Sequence, residues 1–145
     1  MNKQDLLKAL IISINQDIKG YTKLRTLLLM QQKLIMRHNS SELIDLNEDL
    51  QCLITKLNHN AKLRIKFLTQ LGISSPVKAI AQICQMLPKS IAQKLEVTWL
   101  DLEKLAKEGK AINDANGNLI ALQKEAIDSL INDNEFDYGN LCVGG

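Results

Sequence analysis

A chain of 145 residues with 46% hydrophobic but only 3% aromatic content is long enough for one domain with a core, and its reliance on Leu and Ile favours helix–helix seams over an aromatic-rich β-sandwich. Seven Gly and two Pro are too few for the many turns of an all-β fold. The net charge of +2 hides an asymmetry: residues 1–39 hold seven Lys/Arg against two Asp/Glu (+5), residues 40–111 ten against eight (+2), and residues 112–145 one against six (−5).

The first helix is expected from about Lys3 to Arg37. Leu7, Ile11, Ile14, Ile18, Tyr21, Leu28 and Ile35 recur at three- and four-residue steps, and Gly20 is a weak point worth about 1 kcal/mol relative to Ala. The run Leu27-Leu28-Leu29-Met30 is apolar nearly all round, so the helix must meet more than one neighbour there. A break follows at His38-Asn39-Ser40-Ser41, where Asn39 and Glu42 have the spacing of a capping box. The second helix is expected from Ser40 to Leu71, with Leu43, Leu46, Leu50, Leu53 and Leu57 forming a coiled-coil seam. Past Asn60 the stripe is expected to drift to Ala61, Ile65 and Leu68, and Gly72 to end the helix. A short apolar connector helix follows, starting at Ser75-Pro76, running through Val77 to Leu87 and closed by Pro88.

The last helix is expected from Lys89, with Ile91, Leu95, Trp99, Leu102, Leu105, Ile112, Leu119, Ile120, Ile127, Leu130 and Ile131 marking its seam. Gly109 and Gly117 each weaken it by about 1 kcal/mol, so packing or a partner must hold its far half. The expectation is therefore an all-α fold: a long antiparallel helical hairpin plus a third long helix, in a helical bundle domain over 1–132. A flexible, disordered acidic tail is expected over 133–145.

The chemistry-bearing residues are sparse. Cys52, Cys84 and Cys142 are widely spaced and odd in number, as expected of free thiols in a reducing compartment. Cys52 and His59 share a helix face, but two ligands do not make a zinc site, and no metal or other cofactor is expected. Asp114-Ala115-Asn116-Gly117 invites a calcium-loop reading. With Gly117 at loop position six, however, Ile112 and Gln123 fall where carboxylates are required. Asn113 and Asn116 instead suggest a polar layer that fixes register or bonds a partner's backbone. No phosphate loop or nucleophile motif occurs, and the cluster Lys62, Arg64 and Lys66 is too small for a nucleic-acid surface. No apolar run approaches the roughly 18 residues that span a bilayer, and the start lacks a signal-peptide pattern. These features point away from an enzyme and from membrane insertion, and toward the cytoplasm.

Three local patterns carry a resemblance. Leu50, Leu53, Leu57, Arg64 and Leu68 are Leu steps with a basic residue among them. Asn113, Asn116, Gly117 and Leu119 form an Asn-x-x-Asn-Gly-x-Leu stretch, and Tyr138-Gly139 is a Tyr-Gly pair near the end. In that order they resemble the FlgN-type flagellar export chaperones over most of the chain, although the connector is unusually hydrophobic and the tail past Gly139 short. The resemblance implies a cytoplasmic chaperone of type III protein export. It would hold the helical termini of hook-associated proteins, prevent their premature assembly and pass them to the export gate or export ATPase complex. Its client-binding residues would be Ile112, Asn116, Leu119, Ile120, Ile127, Leu130 and Ile131, with Tyr138 and Gly139 docking on the export apparatus. A structural coiled-coil protein whose third helix merely closes a bundle, or pairs in a homodimer, is the competing expectation.

Overall fold

The computed structural model describes residues 2–75 and 78–144, with side chains to residue 131. Among these residues the chain is all helix: α1 (Lys3–Met36), α2 (Ser40–Gln70), α3 (Ala79–Gln85) and α4 (Lys89–Gly144). The Ser75-Pro76 helix start falls partly on Pro76 and Val77, outside the described residues, and the described part of the connector helix begins at Ala79. The tail expected over 133–145 lies outside the residues whose side chains are described.

Local chemistry sets the ends. The Asn2 side chain accepts from the Asp5 N–H at 2.8 Å, capping α1, and the Asn39 side chain accepts from the Glu42 N–H at 3.2 Å, capping α2. Both helices of the hairpin terminate in the same left-handed turn. After α1, His38 (φ 54) lets the Asn39 N–H reach the Leu34 carbonyl at 3.1 Å. After α2, Gly72 (φ 79) lets the Ile73 N–H reach the Leu68 carbonyl at 2.9 Å. These bonds satisfy carbonyls that a helix end leaves unpaired. Glycine adopts this geometry freely, whereas His38 does so against steric resistance of order 1 kcal/mol. The second turn also throws Ile73 into the core, which begins the crossing to α3. Pro88 stops the connector, and its carbonyl accepts from Ala92 in the first turn of α4.

α1 is the central element. α2 packs along it antiparallel, pairing Ser13 with Asn60 and Gln31 with Asn47. α4 packs along it parallel, pairing Arg25 with Glu108 and Ile35 with Gln123. One apolar cluster sits at the connector end, where Leu7, Leu10 and Ile14 of α1 meet Ile73, Ala79, Ile83, Leu95 and Leu102. A second gathers Leu28, Leu46 and Leu50 near the hairpin turn, with Ile112 packed against it. Trp99 is half-buried against the first cluster, as a seam residue should be.

The second-helix stripe does not simply drift at Asn60. Asn60 and Arg64 keep the three–four step and turn toward α1, where they hydrogen-bond Ser13 and Asp17. Ala61 and Leu68 face α3 instead, across a cavity of about 240 Å³ shared with Ile80 and Trp99, and Ile65 is 61% exposed. Periodicity alone missed this because Asn60 and Arg64 are polar, and a stripe followed by hydrophobicity steps sideways around them.

Gly20 is more than a weak point in α1. A Cβ there would lie 2.7 Å from Cδ2 of Leu57, so the glycine admits the Leu57 side chain between the helices. Gly117 has no neighbour within 4 Å of such a Cβ, so no packing need accounts for it.

Candidate functional site

α4 has 56 residues against 34 for α1. The two run parallel, so the excess projects beyond the hairpin turn. Asn116 and Gln123 mark where the covered part ends. The Asn116 Nδ2 donates to the Leu28 carbonyl at 2.8 Å and to Oε1 of Gln31 at 2.9 Å. Gln31 in turn donates to Oδ1 of Asn47 at 2.9 Å. One polar layer thus ties α4, α1 and α2 together. One residue before the end of α1, the Gln123 Nε2 donates to the Ile35 carbonyl at 3.0 Å.

Beyond Gln123 the same face of α4 continues without α1 beneath it. Asn116, Gln123, Ile127 and Leu130 succeed one another at helical spacing on one side. Ile127 is 51% exposed, Leu130 61% and Ile131 47%. Ile120, at 47%, flanks the same line one turn earlier. Scattered exposed apolar residues are ordinary on a protein surface, but these form a row that extends an internal seam.

The residues assigned to client binding from sequence therefore divide. Ile120, Ile127, Leu130 and Ile131 lie together on the uncovered face. Leu119 is half-buried at its edge. Ile112 packs on the Leu28–Leu46–Leu50 cluster, and Asn116 is 1% exposed with both amide bonds made inside the chain. Those two residues already serve the bundle. Asn113 is exposed and makes no part of the polar layer. Tyr138 and Gly139 lie outside the residues whose side chains are described.

Sequence reasoning missed the buried cluster beneath the middle of the hairpin. Asp17, 1% exposed, receives Nη1 of Arg64 and, at 2.6 Å, Nδ2 of Asn60. Nδ2 of Asn60 also donates to the Ser13 carbonyl at 2.9 Å, while the Ser13 hydroxyl donates to Oδ1 of Asn60 at 2.9 Å. Ser13 and Asp17 are buried and Asn60 and Arg64 half-buried, so the cluster serves to orient the hairpin. A signal for it existed: Asp17 continues the three–four step of Leu7, Leu10 and Ile14.

A protein-family model described as FlgN protein matches residues 1–132. The chain belongs to the FlgN family. It is thereby a member of a family of flagellar export chaperones. The FlgN-type chain matched no curated protein and no solved structure. Among the described residues no three His, Cys, Asp or Glu side chains are grouped to hold a metal, and no helix is long and apolar enough to cross a membrane.

The two thiols described differ in their surroundings. Cys52 is exposed. Cys84 is half-buried against α4, its Sγ 3.6 Å from the Ala92 carbonyl. Burial pushes its pKa above the ordinary thiol value, and the charge and hydrogen bond of Glu96 push it the same way. A raised pKa means less thiolate at a given pH. Iodoacetamide near neutral pH should therefore alkylate Cys52 several-fold faster than Cys84, with the gap closing as pH rises, as followed by peptide mass mapping. Equal rates near neutrality would contradict this ordering.

Proposed function

We propose that this FlgN-type chain works in the cytoplasm as a chaperone for flagellar hook-associated proteins. It holds their helical termini so that they do not assemble early, and delivers them to the type III export apparatus. The observation that carries the reading is the continuation of the α1-facing seam of α4 past the end of α1, at Ile127, Leu130 and Ile131. A client helix laid along that row takes the place that α1 occupies further back, in a helix-in-groove mode. A client segment that orders only on binding loses conformational entropy, which keeps affinity moderate and release feasible. No bond is made or broken in this task, so it calls on no catalytic residue. Tyr138 and Gly139 are proposed to touch the export gate or export ATPase complex.

The competing reading, a third helix that simply closes a bundle, is supported for one part of α4 by the Asn116 and Gln123 bonds to α1. It leaves the overhang without a role. Truncation after Gln123 separates the two readings, because among the described residues those it removes belong to neither apolar cluster and make no hydrogen bond to α1 or α2. The truncated chain should keep the helical signal and melting temperature of its bundle, yet fail to capture hook-associated proteins in pull-downs. Undiminished capture would move the client site off α4.

A further inference from the structure

The connector end of the bundle carries a surface that the α4 row does not use. Among the described residues, α2 packs extensively only on α1, and α3 only on α4. A trough is therefore left between α2 on one side and α3 with α4 on the other, floored by Leu10 and Ile14 of α1. The apolar connector shapes it: α3 lies against α4, with Cys84 beside Ala92, and leaves Ile80 facing α2 across open space. The cavity of about 240 Å³ in this trough has Ala61, Ile65 and Leu68 as its α2 wall and Ile80 and Trp99 opposite. Through Ile65 and Leu68 it continues into a hollow of about 370 Å³ at Thr69, Gly72 and Ser74. In the other direction Ile54, 38% exposed, lies on the same face of α2 as Ala61 and Ile65. Ile54, Ala61, Ile65 and Leu68 thus form one stripe about four turns, or about 21 Å, long.

The rim of the trough is basic. Lys62 and Lys66 flank Ile65 and are exposed, and neither makes a salt bridge among the described residues. Arg64, which also lines the cavity, is held by Asp17. From Leu50 to Leu95 the sequence holds seven Lys/Arg and no carboxylate. On α4, Glu96 is engaged with the Cys84 thiol. Glu103 is outnumbered by Lys107 and Lys110, which follow it one and two turns on. A flat anionic surface would touch the rim lysines and leave the floor uncovered. A concave apolar floor under a basic rim instead suits a rod with one apolar face and acidic flanks.

We propose that this trough seats an acidic amphipathic helix of a partner protein other than the client. Its apolar face would cover Ile65, Leu68 and Trp99, and its carboxylates would meet Lys62 and Lys66. The uncovered row of α4 begins beyond Gln123, about 36 Å along the helix from Trp99, so the two surfaces can be occupied together. The proposal does not rest on the proposed function, since the trough binds its helix whether or not the α4 row binds a client.

Trp99 is the sole tryptophan and lines the cavity, so its fluorescence reports occupancy. The probe is a Trp-free synthetic peptide of about four helical turns, with Leu at three–four spacing and Glu at the other positions. A counterpart carries Lys for each Glu. Titrated into the full chain, the Glu peptide should shift Trp99 emission saturably, and bind less tightly in high salt. Lys62→Glu/Lys66→Glu and Ile65→Asp should each weaken binding by at least about tenfold. Both variants should stay helical by circular dichroism and still capture client. Calorimetry of the same titrations should return the same affinities. A Glu peptide that fails to bind, or binds no better than the Lys peptide, overturns the proposal. So does binding that survives both trough variants and is lost in Ile127→Asp/Leu130→Asp, which would put the peptide on the α4 row. Phosphatidylglycerol vesicles or single-stranded RNA that shift Trp99 where the Glu peptide does not would overturn it as well, and give the surface to lipid or nucleic acid.

Discussion

Arg64→Met should destabilise the chain by about 3–5 kcal/mol, whereas Asp17→Leu should cost only about 1–2 kcal/mol, although the two substitutions break the same ion pair. The difference comes from what each leaves behind. Removing the guanidinium strands a carboxylate that is 1% exposed, with Asn60 as its remaining donor. A buried charge without its partner bears the desolvation penalty with little return. Removing the carboxylate leaves Arg64, whose side chain is 16% exposed. Its long stem lets the charged head turn to water while the methylenes stay packed. Met keeps the approximate length of Arg, so cavity formation contributes little to the first loss. Replacing the cluster together, with Ser13→Ala, Asp17→Leu, Asn60→Leu and Arg64→Met, should bring stability back toward the wild-type level. Urea titration at constant slope measures all three cases. Equal losses from Arg64→Met and Asp17→Leu would sink the asymmetry. The pair's service to the fold is alignment: an antiparallel Leu seam admits several registers, and only one brings Asp17 to Asn60 and Arg64.

That cluster also shows what a single sequence discloses and what it withholds. The hairpin, its caps and its turn were legible because each depends on neighbours in sequence: Asn39 before Glu42, Gly72 after the last Leu, and Leu at strict three–four steps. Part of the seam of α1 was legible as well, at Leu7, Ile14, Leu28 and Ile35, but its polar members Asp17 and Gln31 were not read as such. Nor were their partners, because Asn60, Arg64, Asn47 and Asn116 belong to other helices, and the pairing depends on register and direction. The parallel course of α4 follows from the compact connector, in which Ile73 enters the core and Pro88 restarts the chain. That direction decides which half of the α4 seam is covered. Ile112 and Ile127 look alike as residues on an apolar stripe. They differ because α1 ends at Met36, which puts one against Leu28 and its neighbours and leaves the other open.

This division yields the second large effect. Ile127→Asp/Leu130→Asp should lower affinity for a hook-associated protein's terminal helix by about a hundredfold, equivalent to about 3 kcal/mol. The same pair should leave the melting temperature of the free bundle within the scatter of ordinary surface substitutions, about 0.5 kcal/mol. Ile127 and Leu130 are 51% and 61% exposed in the free chain, so their loss is little felt until a client helix covers them. Each carboxylate then has to be desolvated against the client's apolar face. Leu28→Ala, in the cluster beneath Ile112, should behave in the opposite sense. It removes a side chain that is 3% exposed and should cost about 2–5 kcal/mol of stability, while at temperatures where the bundle still holds the overhang remains able to bind. Isothermal titration calorimetry with a terminal-helix peptide, set beside thermal melts of the same proteins, reads both quantities. If the overhang pair lowers stability as much as affinity, α4 is anchored beyond Gln123 and the client site lies elsewhere. If Leu28→Ala abolishes binding in a folded chain, the client reads the bundle itself and not the row that extends from it.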